Sequence, residues 1–161
     1  MAKQTLKNIK QIVVHCTATL ANQPAGFKEC HQWHVVENKW SNVGYHYGIE
    51  QNGNVWQGRS MDFEKGLADI GAHAVGFNKG SLGVVLSGGC RDIYEKDGDV
   101  VYVPADNFTD IQKLNLRALV TGLIEKCQAA GAGDIDVVGH RDLNAKKDCP
   151  SFDVKAWWAD Q

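Results

Sequence analysis

Three prolines are all that the 161 residues contain, and they stand far apart, so no proline-rich linker or low-complexity spacer divides the chain. Long apolar runs are missing too. None approaches the length that crosses a bilayer, and Met1-Ala2-Lys3-Gln4-Thr5-Leu6-Lys7 lacks the apolar stretch of a signal peptide. Neither sign of charge is in excess: 17 Lys and Arg stand against 19 Asp and Glu, a formal net charge of −2. That balance argues against a general nucleic-acid binder, whose footprint is a basic face; Lys146-Lys147 is only a local patch. The five cysteines form no C-x-x-C pair and are odd in number, which speaks against a disulfide framework. The H-E-x-x-H motif is also absent.

What is present describes an ordinary globular chain. With 43% hydrophobic and 22% charged residues, the expectation is one domain over residues 1–161, with its core at about 9–160, built on a single sizeable hydrophobic interior. Ile9 to His15 reads as a buried strand, and Phe27, Cys30, His31 and His34 recur at helical spacing, predicting an amphipathic helix from Phe27 to about Asn38. Tyr45 to Glu50 and Val55 to Gln57 flank Asn52-Gly53, a hairpin signal. Ser81 to Ser87 is a short apolar strand. Arg91 to Pro104, with Asp97-Gly98 at its middle, predicts a surface hairpin or extended loop. Thr109-Asp110-Ile111-Gln112 is a capping box opening the longest helix, and Gly131 suits its left-handed end. Asp136 to Gly139 returns as a strand, followed by a loop to Cys149 and a short helix from Asp153. Strands interleaved with helices, one clear hairpin among them, predict an α/β fold with a central mixed β-sheet flanked by helices.

Chemistry concentrates at three points. His15 ends the first strand, His140 ends the last, and Cys149 follows His140 on a loop pinned by Pro150. Two imidazoles and one thiolate suit Zn2+ and leave a fourth tetrahedral position open, the arrangement of a catalytic rather than a structural site. The other cysteines read differently. Cys30 and Cys127 fall on apolar helix faces and Cys90 follows a strand, as small buried hydrophobes do, while strand alternation turns Cys16 away from the His15 face.

The same residues carry a resemblance. Val14-His15-Cys16-Thr17-Ala18-Thr19, Gln32-Trp33-His34, Val43-Gly44-Tyr45-His46-Tyr47, Gly71-Ala72-His73-Ala74-x-Gly76-x-Asn78, Gly83-Val84 and Cys149-Pro150-Ser151-Phe152-Asp153 occur in the order that resembles type 2 N-acetylmuramoyl-L-alanine amidases. That superfamily is shared with peptidoglycan recognition proteins, and the likeness is to its phage branch. The resemblance implies His15, His140 and Cys149 as zinc ligands and Tyr45 and Lys147 as a catalytic pair, with bacterial peptidoglycan as substrate. It implies an endolysin that cleaves the amide between the lactyl group of N-acetylmuramic acid and L-alanine, stored in the host cytoplasm until the membrane is breached. It also raises a phage RNA polymerase as a regulatory partner, and a monomer with no direct nucleic-acid contact and no membrane insertion. The connection from His140 to Cys149 and the segment 91–104 are both longer than the phage pattern, so the latter is expected to reshape one wall of the groove.

Other residues divide between site and packing. His73, on a glycine-bounded loop, and Asn78 are candidates for substrate contact or for supporting a ligand. His46 points opposite to Tyr45 on its strand, toward core or surface. His31 and His34 are assigned to a packed helix face, and Trp33, Trp40 and Trp56 to the core rather than to sugar stacking. A glycosidase would need two carboxylates framing the scissile bond, and no such pair stands out. A non-catalytic wall-binding module is the alternative reading, against which the presence of Cys149 counts.

Overall fold

Alternation along two central strands decides where everything else sits. In β2 (Gln11–Cys16) and β7 (Ser81–Leu86), Ile12, Val14, Leu82, Val84 and Leu86 belong to one buried cluster with Leu116, Val120, Leu123 and Cys127 of the long helix α2 (Asp110–Ala129). Val13, His15, Ser81, Gly83 and Val85 point to the other face. One side of the sheet is thus sealed by a helix, and the opposite side is left to carry polar groups.

The computed structural model describes residues 1–160. The remaining elements are β1 (Lys3–Thr5), α1 (Phe27–His31), β3 (Tyr47–Ile49), β4 (Val55–Gln57), β5 (Met61–Asp62), β6 (Leu67–Asp69), β8 (Cys90–Lys96), β9 (Asp99–Pro104), β10 (Asp136–Gly139), α3 (His140–Leu143) and α4 (Val154–Ala159). The main sheet has the order β10-β2-β7-β3-β4. Its first four strands run parallel and β4 returns antiparallel to β3, the mixed sheet expected. The pairing of β1, β6 and β5 into a second small sheet was not anticipated, because two- and three-residue strands carry no readable alternation.

Most punctuation signals hold. Thr109 accepts from the Gln112 amide at 3.3 Å while its own amide donates to Gln112 Oε1 at 3.0 Å, and Gly131 closes α2 with φ +97°. Asp97 and Gly98 both take positive φ, the turn that a tight hairpin requires. Two expectations need correction. The helix from Phe27 is α-helical only to His31 and continues as a wider π-helical stretch, Gln32–Glu37, a local form that spacing cannot distinguish. The strand expected from Tyr45 begins at Tyr47, although the Tyr45 carbonyl still accepts from Arg59 N at 2.9 Å.

The tryptophans assigned to the core also differ. Trp40 is 38% exposed, Trp33 and Trp56 are half-buried, and the aromatic packing around the core comes instead from Tyr47, Phe108, Phe152, Trp157 and Trp158. Cys30, Cys90 and Cys127 are buried free thiols as expected. Burial pushes Cys30 up to about 12 and the other two to about 11, so they are unreactive at neutral pH.

His46 is fully buried. Its Nδ1 accepts from Gly83 N at 3.0 Å, so its Nε2–H donates to the Asp69 carbonyl at 2.8 Å. Burial lowers its pKa to about 4. An unfolded imidazole titrates near ~6.5, so between that pH and about 4 only the unfolded chain binds the proton. Stability is therefore complete above the upper value and falls as pH drops through the window, by about 3 kcal/mol from this residue. An NMR titration should find the His46 resonance unmoved at pH 6 and shifting near pH 4, with urea stability declining over the same range. A midpoint near 6.5 would contradict it.

Candidate metal centre

Parallel pairing builds the site. Gly139 of β10 lies opposite Val14 of β2, so the next residues, His140 and His15, emerge side by side at the carboxyl end of the sheet. Their rings stand 4.7 Å apart between centroids. The third group arrives from the loop after α3, whose neck is closed by Arg141 N donating to the Cys149 carbonyl at 2.7 Å. Cys149 Sγ then accepts from Cys16 N at 3.2 Å and lies 3.8 Å from His15 Nδ1. One donor atom from each of His15, His140 and Cys149 lies within 4.8 Å of the others. Two nitrogens and a sulfur at this spacing fit a tetrahedral, borderline-soft divalent cation with one position left over.

Protonation states follow from counting donors. Ser81 Oγ donates to the Phe77 carbonyl at 2.6 Å, so it offers only a lone pair to His73 Nε2 at 3.3 Å. His73 Nε2 therefore holds the proton, and His73 Nδ1 accepts from His15 Nε2–H at 2.9 Å. His15 Nδ1 is left with a lone pair facing Cys149. Burial, reinforced by His73 and then His140, keeps His15 well below its ordinary pKa, and burial lowers His73 to about 3. Burial and then the Lys147 ammonium hold His140 below its usual value. All three imidazoles are neutral at pH 7, the form that ligates metal.

Two glycines make room for His73. A Cβ on Gly83 would meet the His73 ring at 2.6 Å, and one on Gly71 at 2.5 Å. Asn78 braces the loop from behind: its Oδ1 accepts from His73 N at 2.8 Å and Ala74 N at 2.9 Å. Its carboxamide oxygen is thus engaged with backbone.

The cleft over the ligands has a volume of about 400 Å³ and includes Tyr45, His73, Lys146, Lys147 and Asp148 in its lining. The Tyr45 ring stands 5.2 Å from that of His15. Burial, and secondarily Cys149, pushes its hydroxyl well above the usual phenol value, so it keeps its proton at neutral pH. The turn carrying the two lysines is shaped by Asn144, whose carbonyl accepts from Lys147 N at 2.9 Å and whose Oδ1 accepts from Lys146 N at 3.1 Å. Asp148 is the sole carboxylate among the described residues lining the cleft, which leaves a two-carboxylate glycosidase without its second group.

One side chain lands elsewhere than expected, while His34 packs on a helix face as expected. Cys16 lines the cleft, because it is the last residue of β2 and the Cys149 loop folds over the strand end onto it. His34 is half-buried on its helix against Tyr45 and Trp40, at 5.4 and 4.6 Å between centroids, and its Nδ1 accepts from Gly44 N at 3.0 Å. Ser81, Tyr102 and Pro104 were missed. A polar residue opening an apolar strand on the same face as Gly83 was the available signal for Ser81; nothing local marked the other two.

Residues 5–152 match the family model described as N-acetylmuramoyl-L-alanine amidase. The chain belongs to that family. It is 41% identical to the endolysin of Klebsiella phage KP32 over 92% of its own length and 84% of that protein. It is 40% identical to the endolysin of Enterobacteria phage T3, covering 98% and 93%. Among solved structures, the endolysin amidase LysCS from Clostridium intestinale superposes with a TM-score of 0.65 at 25% identity, covering 95% of this chain and 82% of that one. Drosophila peptidoglycan recognition protein SD shares the fold, with a TM-score of 0.69 at 21% identity over 100% and 86% of the two chains.

For this amidase-family chain, Gly83→Ala forces the His73 ring to move within a packed interior. The substitution should cost about 1–3 kcal/mol in urea denaturation and shift the NMR signals of the His15 ring. Unchanged stability together with unchanged His15 signals would mean that His73 is not confined as described.

Proposed function

We propose that this amidase is a zinc-dependent endolysin that hydrolyses the amide joining the lactyl group of N-acetylmuramic acid to L-alanine in bacterial peptidoglycan. The observation that carries the zinc assignment is the convergence of one donor atom each from His15, His140 and Cys149 within 4.8 Å, inside a chain of the amidase family. When bound, zinc would act as a Lewis acid at the carbonyl and lower the pKa of water for attack.

The chain's own residues do the rest. His73, braced by Asn78 and backed by Ser81, holds His15 in the tautomer that presents Nδ1. Tyr45 keeps its proton and donates a hydrogen bond to orient the substrate or water. Lys147, an exposed ammonium on the cleft wall, stabilises the negative charge that develops on the carbonyl oxygen, a contribution worth about 2.7–4 kcal/mol where such a donor is well placed. No helix among the described residues is long and apolar enough to cross a membrane. The likeness to phage endolysins supports storage in the host cytoplasm until lysis.

Cys149→Ala should abolish both zinc binding and cleavage. In mass spectrometry of digested peptidoglycan, the wild type should release stem peptides beginning with L-alanine, and chelation should stop it. Full activity in the alanine variant would overturn the metal assignment, and new reducing sugar ends in place of free peptide would overturn the reaction. Lys147→Met should lower kcat by about 10²-fold with little change in KM, while Tyr45→Phe should lose less. A Lys147→Met enzyme with wild-type kcat would remove the lysine from the mechanism.

A further inference from the structure

The β8–β9 hairpin contributes groove-facing residues that do not belong to the chemistry above. Its base is pinned on two sides. Cys90 N donates to the Thr19 carbonyl at 3.1 Å and Thr19 N to the Gly88 carbonyl at 3.1 Å, while Ser151 Oγ, two residues past the Cys149 ligand, donates to the Gly89 carbonyl at 2.8 Å. Asn107 clamps the opposite strand, accepting from Gly89 N at 2.7 Å and donating to the Cys90 carbonyl at 2.8 Å. The hairpin is therefore held in fixed relation to both the ligand loop and the segment that follows β2.

Register then sets which side chains face inward. Ile93 lies directly across from Tyr102, and Tyr102 and Pro104, two residues apart on one strand, both line the metal cleft. Ile93 and Tyr102 also wall a second cavity of about 410 Å³, closed by Trp33 from the helix and floored by Thr17, Ala18 and Thr19, with Gln23 at its side. Ala18 and Tyr102 belong to both cavities. A substrate whose carbonyl sits over His15 and Cys149 thus continues past Tyr102 without leaving the protein surface.

The lining indicates what continues there. No charged residue borders the second cavity, whereas the metal cleft carries Lys146, Lys147 and Asp148. An acidic peptide would meet no cation in the second cavity. A neutral pyranose bearing an acetamido group presents an apolar ring face to aromatic side chains and hydroxyl groups to Thr and Gln, which this cavity offers together. We propose that the cavity between the β8–β9 hairpin and Thr17–Thr19 is the subsite for the N-acetylated sugar side of the substrate, with Tyr102 as its stacking platform. The inference rests on the amidase reading for the identity of the glycan.

The test measures binding, without catalysis. A peptide-free oligosaccharide of alternating N-acetylglucosamine and N-acetylmuramic acid, and separately a free stem peptide, are titrated into the whole protein by calorimetry. Tyr102→Ala should weaken oligosaccharide binding about tenfold and leave stem-peptide binding unchanged, and Tyr102→Phe should restore the oligosaccharide affinity. Tyr94→Ala, at an exposed neighbour of Ile93 on the other face of the hairpin, should change neither. Oligosaccharide binding insensitive to Tyr102→Ala, or a loss confined to the stem peptide, overturns the proposal. Digestion of peptidoglycan by the same wild-type preparation separates the two readings. Cleavage without oligosaccharide binding sinks the sugar subsite alone, and absence of cleavage sinks the amidase reading on which the glycan assignment rests.

Discussion

The parallel pairing of β10 with β2 is the constraint on which the site depends. It places two strand ends in register at one edge of the sheet, so that histidines from opposite ends of the chain share a surface. The pairing is held by burial of the opposite sheet face. Ile12, Val14 and Val137 pack with Leu116, Val120 and Leu123 of α2, and because strand side chains alternate with a period of two, that burial obliges His15 to face the other way. A slip of one residue would drive His15 into the helix layer and expose Val14. The apolar core and the candidate metal centre are two consequences of one register.

Polar groups on the working face are satisfied in series. Ser81 settles the proton on His73, His73 settles it on His15, and His46 is fixed independently between Gly83 and Asp69. Buried imidazoles without such partners would be costly; here each bond also selects a tautomer. The space for this arrangement is created by absence, since Gly71 and Gly83 leave the volume that the His73 ring fills. The arrangement of the candidate ligands therefore relies on residues with no side chain at all, and on a serine that is not one of them.

Legibility in the sequence followed the physical range of each signal. The capping box at Thr109, the Asp97-Gly98 turn and the short apolar strand expected from Ser81 to Ser87 are local signals, and they appear where they were expected. Two features escape that range of signal: the tiny strands of the second sheet need partners distant in sequence, and the π-helical stretch after His31, though local, differs from an α-helix by only one residue in its hydrogen bonding. His15, His140 and Cys149 could be singled out because strand ends and a proline-pinned loop advertise themselves. Trp33, assigned to packing, instead borders a cavity, a placement that helical spacing alone does not reveal.

By itself the sequence determined the mixed α/β class, the principal strands and helix, and the residue types able to hold a metal, because each is written in short-range periodicity and side-chain chemistry. Tertiary structure alone decided that Cys16 meets Cys149, that His73 reaches His15, and that Tyr102 borders two cavities. Those facts depend on contacts between segments separated by up to 133 positions. Such contacts are set by strand pairing and packing, for which no local pattern in the chain is a substitute.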